Sequence, residues 1–93
     1  MSNLHVAGLR ATRGQRLTGR EIEVLTAVSM GYADGQTAAM LGVTAGTVRG
    51  HVSAITVKLG AGNRAHLVRL GFTEGYLRLS METLNRNPIG RAA

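Results

Sequence analysis

Cysteine is absent from this 93-residue chain, so neither disulfides nor thiolate zinc sites hold it together, and a reducing cytoplasm suits it as well as any compartment. Aromatic residues are scarce. With only Tyr32, Phe72 and Tyr76 available, a stacking platform for single-stranded nucleic acid is excluded, whereas a duplex requires none. No apolar run approaches the roughly 20 residues of a membrane span, and no charged segment followed by a long apolar block opens the chain as a signal peptide would. The expectation is a soluble, cytoplasmic protein with no membrane partner. Acidic residues are few as well: five Asp and Glu stand against eleven Lys and Arg, for a net charge of +6, the balance of a polyanion binder. From Gly35 to Thr73 there is no acid at all, while Arg49, Lys58, Arg64 and Arg69 fall within that stretch.

A chain of this length supports one compact core. Residues 1–16 lack sustained periodicity and carry Arg10, Arg13 and Arg16, which predicts a flexible basic arm, with a short helical turn at Leu4 to Leu9 left open. This arm either lies along phosphates or in a minor groove, or serves only as a solubilising tail. Thr18-Gly19-Arg20-Glu21 fits a capping box, so a first helix starts there, buries Ile22, Leu25 and Val28, and ends at Gly31. Asp34 is placed to cap a second helix through Leu41, with Ala38 and Leu41 facing inward. Leu41-Gly42-Val43-Thr44 supplies a tight corner: Gly42 tolerates the left-handed conformation, Val43 packs inward and the Thr44 hydroxyl caps the next helix. This third helix carries Val48, Val52, Ile55 and Leu59 as one apolar stripe, which leaves Arg49, Gly50 and Ser53 on other faces. Gly60-Ala61-Gly62 breaks it, and Asn63 caps a fourth helix running toward Phe72 or Gly75 with Leu67 and Leu70 or Gly71 on one side. Beyond residue 77 a short extension has some helical character at Leu79 to Leu84 before Asn87-Pro88 stops it. The fold class is thus all-α, with a helix-turn-helix at its centre.

Catalysis and metal binding find little support, and no cofactor is expected. His5, His51 and His66 lack ligand spacing. Glu21 and Glu23 point in different directions from their helix, and Gly60-Ala61-Gly62 reads as a helix break rather than a phosphate loop. The chemistry lies instead on the third helix. A guanidinium at Arg49 can make two hydrogen bonds to guanine O6 and N7. Gly50, which costs about 1 kcal/mol against Ala in a helix, either permits close approach to DNA or packs against a neighbouring helix.

The segments LTGREIEVL, GYADGQTAAMLGVTAGTVRGH and ITVKLGAGNR, in that order, resemble the DNA-binding domain of the LuxR/FixJ (GerE-like) transcription regulators from Leu17 to about Leu77. The resemblance implies a four-helix domain at 17–77, whose third helix, about 45–59, enters the major groove of double-stranded DNA and whose fourth forms a homodimer. It implies base-facing roles for Arg49, Gly50 and Ser53, DNA contacts on the phosphate side from Thr44, Thr47, Lys58 and Arg64, and a dimer contact from Leu67, Leu70 and Gly71. His51 falls at the family's histidine position, where it either contacts a phosphate or packs beside the first helix. Gly50 and Ser53 depart from the pattern in being short, which throws base reading onto Arg49. The sixteen residues before Leu17 are too few for a receiver or ligand-binding domain, so control by phosphorylation or an autoinducer is not expected within these residues. The implied function is transcription regulation, with RNA polymerase or a larger regulator as further partners. Two other readings stand beside it: an interaction module that pairs with a larger LuxR-type regulator, and a domain like sigma-factor region four.

Overall fold

The computed structural model describes residues 11–79, which hold four helices and no strand. They are α1 (Gly19–Ser29), α2 (Asp34–Leu41), α3 (Ala45–Leu59) and α4 (Arg64–Thr73). The Leu4–Leu9 turn and the extension from residue 80 onward lie outside the described residues.

Local chemistry accounts for the starts and stops. At the head of α1, Thr18 Oγ1 accepts the Glu21 N–H at 3.1 Å, and Glu21 Oε1 accepts the Thr18 N–H at 2.9 Å. Two orphan donors are thereby satisfied reciprocally. Asn63 Oδ1 caps α4 by accepting the His66 N–H at 2.8 Å, and His66 Nδ1 in turn accepts the Gly62 N–H at 2.9 Å. α2 differs from the expectation. Asp34 is its first helical residue rather than its cap; Ala33 holds the cap position without a side-chain bond, and Gln36 Oε1 accepts the Ala33 N–H at 2.9 Å. The Asp34 carboxylate turns instead toward Arg64. All four helices end on a shared pattern, in which a residue past the helix donates its N–H back across the last turn: Tyr32 to Ala27, Val43 to Ala38, Ala61 to Thr56 and Tyr76 to Gly71. At the corner between α2 and α3 this requires Gly42 at φ 70°, a conformation that a Cβ would penalise.

The core forms where the four inner faces meet. Val24, Leu25 and Val28 of α1 pack with Ala38 of α2, Val48 and Ile55 of α3, and Leu67 of α4. Val52 and Leu59 complete the α3 stripe as partly buried residues, and Leu41 and Val43 seal the corner. Leu17 and Leu77 close the core from the two flanks, where the Leu17 N–H donates to the Tyr76 hydroxyl at 3.2 Å. Gly71 lets Leu77 reach Leu25, because a Cβ at position 71 would lie 2.7 Å from Leu77 Cδ1 and 3.0 Å from Leu25 Cδ2.

Of the segment expected to be a flexible arm, residues 11–16 are described and carry no helix. The Gly14 N–H donates to the Lys58 carbonyl at 2.8 Å, so this part of the segment docks against the end of α3.

Candidate nucleic-acid interface

The surface of α3 is set by the burial of its other side. Val48, Ala54, Ile55 and Lys58 are buried, which turns Gly46, Arg49, Gly50, Ser53 and Val57 to solvent. Their spacing of three, one, three and four residues makes a single stripe along the helix. From Gly46 to Ser53 the stripe covers two turns, about 10 Å at 1.5 Å per residue, which matches the roughly 12 Å width of a major groove. Gly46 and Val57 belong to this face without standing out in the sequence, although the helical spacing from Arg49 and Ser53 points to both.

Arg49 supplies the only cation on the stripe. Its guanidinium leans toward the helix N-terminus, with Nη2 3.9 Å from where a Cβ of Gly46 would stand. No ion pair engages it among the described residues. Gly50 is exposed, and a Cβ there would meet no atom within 4 Å. Packing against a neighbouring helix therefore does not explain this glycine. At the head of the helix, Thr44 Oγ1 accepts the Thr47 N–H at 3.1 Å and lies 3.0 Å from the Thr47 hydroxyl, so both hydroxyls sit together at the edge of the exposed stripe.

Two further residues suggested for DNA contact are committed elsewhere. Lys58 is buried, with Nζ 2.7 Å from Glu21 Oε1, the oxygen that also accepts the Thr18 N–H. Residue type alone suggests a surface cation; helical phase places it between α3 and α1, opposite the one acid able to neutralise it. Arg64 is half exposed and reaches across to the α1–α2 turn, with Nη2 3.4 Å from Asp34 Oδ1 and 3.4 Å from the Tyr32 carbonyl. His51 is half-buried on α3, and its imidazole makes no hydrogen bond among the described residues.

On α4 the suggested dimer residues divide. Leu67 is 1% exposed and Gly71 is buried, both facing the domain's own core, so Leu70, half-buried, is the one of the three at the surface. Ala65, Arg69 and Phe72 occupy the opposite, exposed side of that helix, and Phe72 is 37% exposed. No group of three or more His, Asp or Glu among the described residues is arranged to hold a metal ion. No helix among them is long and apolar enough to cross a membrane.

A short helix, a glycine corner and a longer helix with an outward stripe define the helix-turn-helix class of domain. Residues 15–71 match the family model of bacterial regulatory proteins, luxR family, and the chain belongs to that family. It is a family of regulatory proteins, not of enzymes. Over 68 residues the chain is 37% identical to the transcriptional activator protein AhyR of Aeromonas hydrophila, covering 73% of this chain and 26% of the relative. It is 41% identical over 54 residues to the transcriptional activator protein EsaR of Pantoea stewartii subsp. stewartii, covering 58% of this chain and 22% of that protein. The match to the transcriptional activator protein ExpR of Dickeya dadantii is 42% over 52 residues, 56% of this chain and 21% of the relative. The chain thus spans about a quarter of the length of the curated relatives it matches. No solved structure matches it significantly.

Proposed function

We propose that this domain regulates transcription by binding double-stranded DNA in the cytoplasm as a homodimer, with α3 in the major groove. The observation that carries the reading is the exposed face of α3, where Arg49, beside Gly50 and Ser53, has no ion pair among the described residues while Lys58 and Arg64 are engaged within the domain. An unpaired guanidinium on a stripe of small residues meets base edges without steric competition. Thr44 and Thr47 fit phosphate oxygens at the groove wall, a positioning role that carries no sequence information. Specificity on this reading comes from Arg49, from DNA shape and from the spacing of two half-sites.

The homodimer contact falls on α4. With Leu67 and Gly71 turned inward, it rests on Leu70 and on the exposed Phe72. Such a surface also suits pairing with a larger regulator of the same family, and gel shifts separate the two, because a pure interaction module forms no sequence-selective complex with DNA. The decisive experiment is selection from a random duplex library followed by sequencing, for which the expected result is a two-fold symmetric consensus. Arg49→Ala is expected to remove about 1 to 3 kcal/mol of discrimination at one base pair of each half-site without loss of fold. An unchanged preference in the folded variant would refute the role given to Arg49.

A further inference from the structure

The described part of the N-terminal segment closes on the end of α3. Its turn is held by Gln15, whose side-chain Oε1 accepts the Thr12 N–H and whose N–H donates to the Thr12 carbonyl, both at 3.1 Å. From this turn the Gly14 N–H reaches the Lys58 carbonyl at 2.8 Å. Arg13 lies over Gly60: a Cβ at position 60 would stand 2.8 Å from Arg13 Nε and 3.1 Å from its Cζ. α3 ends at that point, with Gly60 donating to the Val57 carbonyl and Ala61 to that of Thr56. Of the four carbonyls that a helix end leaves open, those of Thr56 and Val57 are satisfied from just past the helix and that of Lys58 from outside it, by Gly14. The same end carries the partial negative charge of the helix, which a guanidinium offsets. Lys58 is held twice, by its carbonyl on Gly14 and by its ammonium on Glu21.

We infer that residues 12–15 form a clasp on the C-terminal turn of α3, with Arg13 as its cation, and that Arg13 is a positioning residue for DNA binding rather than a phosphate ligand. The inference rests on the reading of α3 as the DNA-facing helix. A last turn that frays in the free protein must be ordered when the helix seats in a groove, and that ordering opposes binding. A phosphate ligand acts differently, because it releases a counterion and steepens the salt dependence.

The test compares Arg13→Gln and Arg13→Lys with the parent in the full chain, using the selected duplex at a temperature where all three are folded. Arg13→Gln is expected to speed amide hydrogen exchange at Gly14, Gly60 and Ala61 and to weaken binding about two- to five-fold, the span of a helix-end charge interaction. The slope of log K against log salt is expected to stay the same, and Arg13→Lys to recover most of both effects. A slope shallower by about 0.9 overturns the inference and makes Arg13 a phosphate ligand. Unchanged affinity in the folded Gln variant also overturns it, leaving a contact that stabilises and nothing more, and unchanged exchange at Gly14 removes the clasp. Failure of the parent to bind any duplex defeats the DNA-facing reading itself, and the exchange measurements then judge the clasp independently.

Discussion

Thr37 is fully buried on α2, and its hydroxyl has no hydrogen-bond partner among the described residues. A buried hydroxyl without a partner forgoes its hydration and gains nothing in exchange. Thr37→Val keeps the shape and removes the polar atom, and is expected to raise stability by about 1 kcal/mol. A higher urea midpoint with an unchanged slope is the outcome that supports this; a lower midpoint would show that the hydroxyl is satisfied in solution. The two glycines at 50 and 71 show how environment sets the sign of one substitution. Gly50→Ala places a methyl in open space and is expected to stabilise α3 by about 1 kcal/mol through helix propensity. On the proposed function the same change weakens DNA binding, so thermal melting and gel shifts should move in opposite directions. Gly71→Ala pushes a methyl into Leu77 and Leu25 and is expected to destabilise by about 1 to 3 kcal/mol, the range for overpacked cores.

At the scale of the element, α3 has three faces with three duties. Val48, Ile55 and the partly buried Val52 and Leu59 anchor it in the core. Lys58 ties its last turn to the first turn of α1 through the ion pair with Glu21. The third face, from Gly46 to Val57, is exposed in the structure of the described residues. Because the ion pair is buried, removing one partner strands the other charge. Lys58→Met is therefore expected to cost about 3 to 5 kcal/mol, measured by denaturant unfolding. A surface phosphate ligand would behave otherwise, losing DNA affinity with little change in stability. A Lys58→Met protein of parental stability would return this lysine to the solvent side of the helix.

Across the whole molecule, the excess of positive charge is spent unevenly. Among the described residues three cations are engaged by carboxylates, Arg20 with Glu23, Lys58 with Glu21 and Arg64 with Asp34, whereas Arg49 is in none of these pairs. Net charge thus overstates how many cations can neutralise phosphate. Each phosphate contact contributes about 0.9 to the slope of log K against log salt. A fluorescence titration from low to moderate salt is expected to show a clear but shallow dependence, smaller than the chain's charge suggests. Binding flat with salt would count against duplex DNA as the ligand.

Local and periodic features of the chain set much of this architecture by themselves. The Thr18–Glu21 box, the Thr44 and Asn63 caps, and the glycines at 31, 42 and 60 act within a few residues of themselves, so the corner and the helix limits, apart from the cap of α2, were legible without a structure. The apolar stripe of α3 was legible for the same reason, since its 3.6-residue period is a property of the chain. What a residue meets across the fold is not. Whether Lys58 faced DNA or Glu21, whether Leu67 faced a second subunit or Ile55's core, and whether Gly50 was packed or bare depended on how α1, α3 and α4 settle against one another. Segment 12–16 carried no periodic signal, because it is held by a single backbone bond and one arginine at a helix end rather than by an apolar face. Contacts between residues distant in sequence, such as Gly14 with Lys58 and Glu21 with Lys58, exist only once the core has brought them together, and those contacts decide which cations are engaged within the domain.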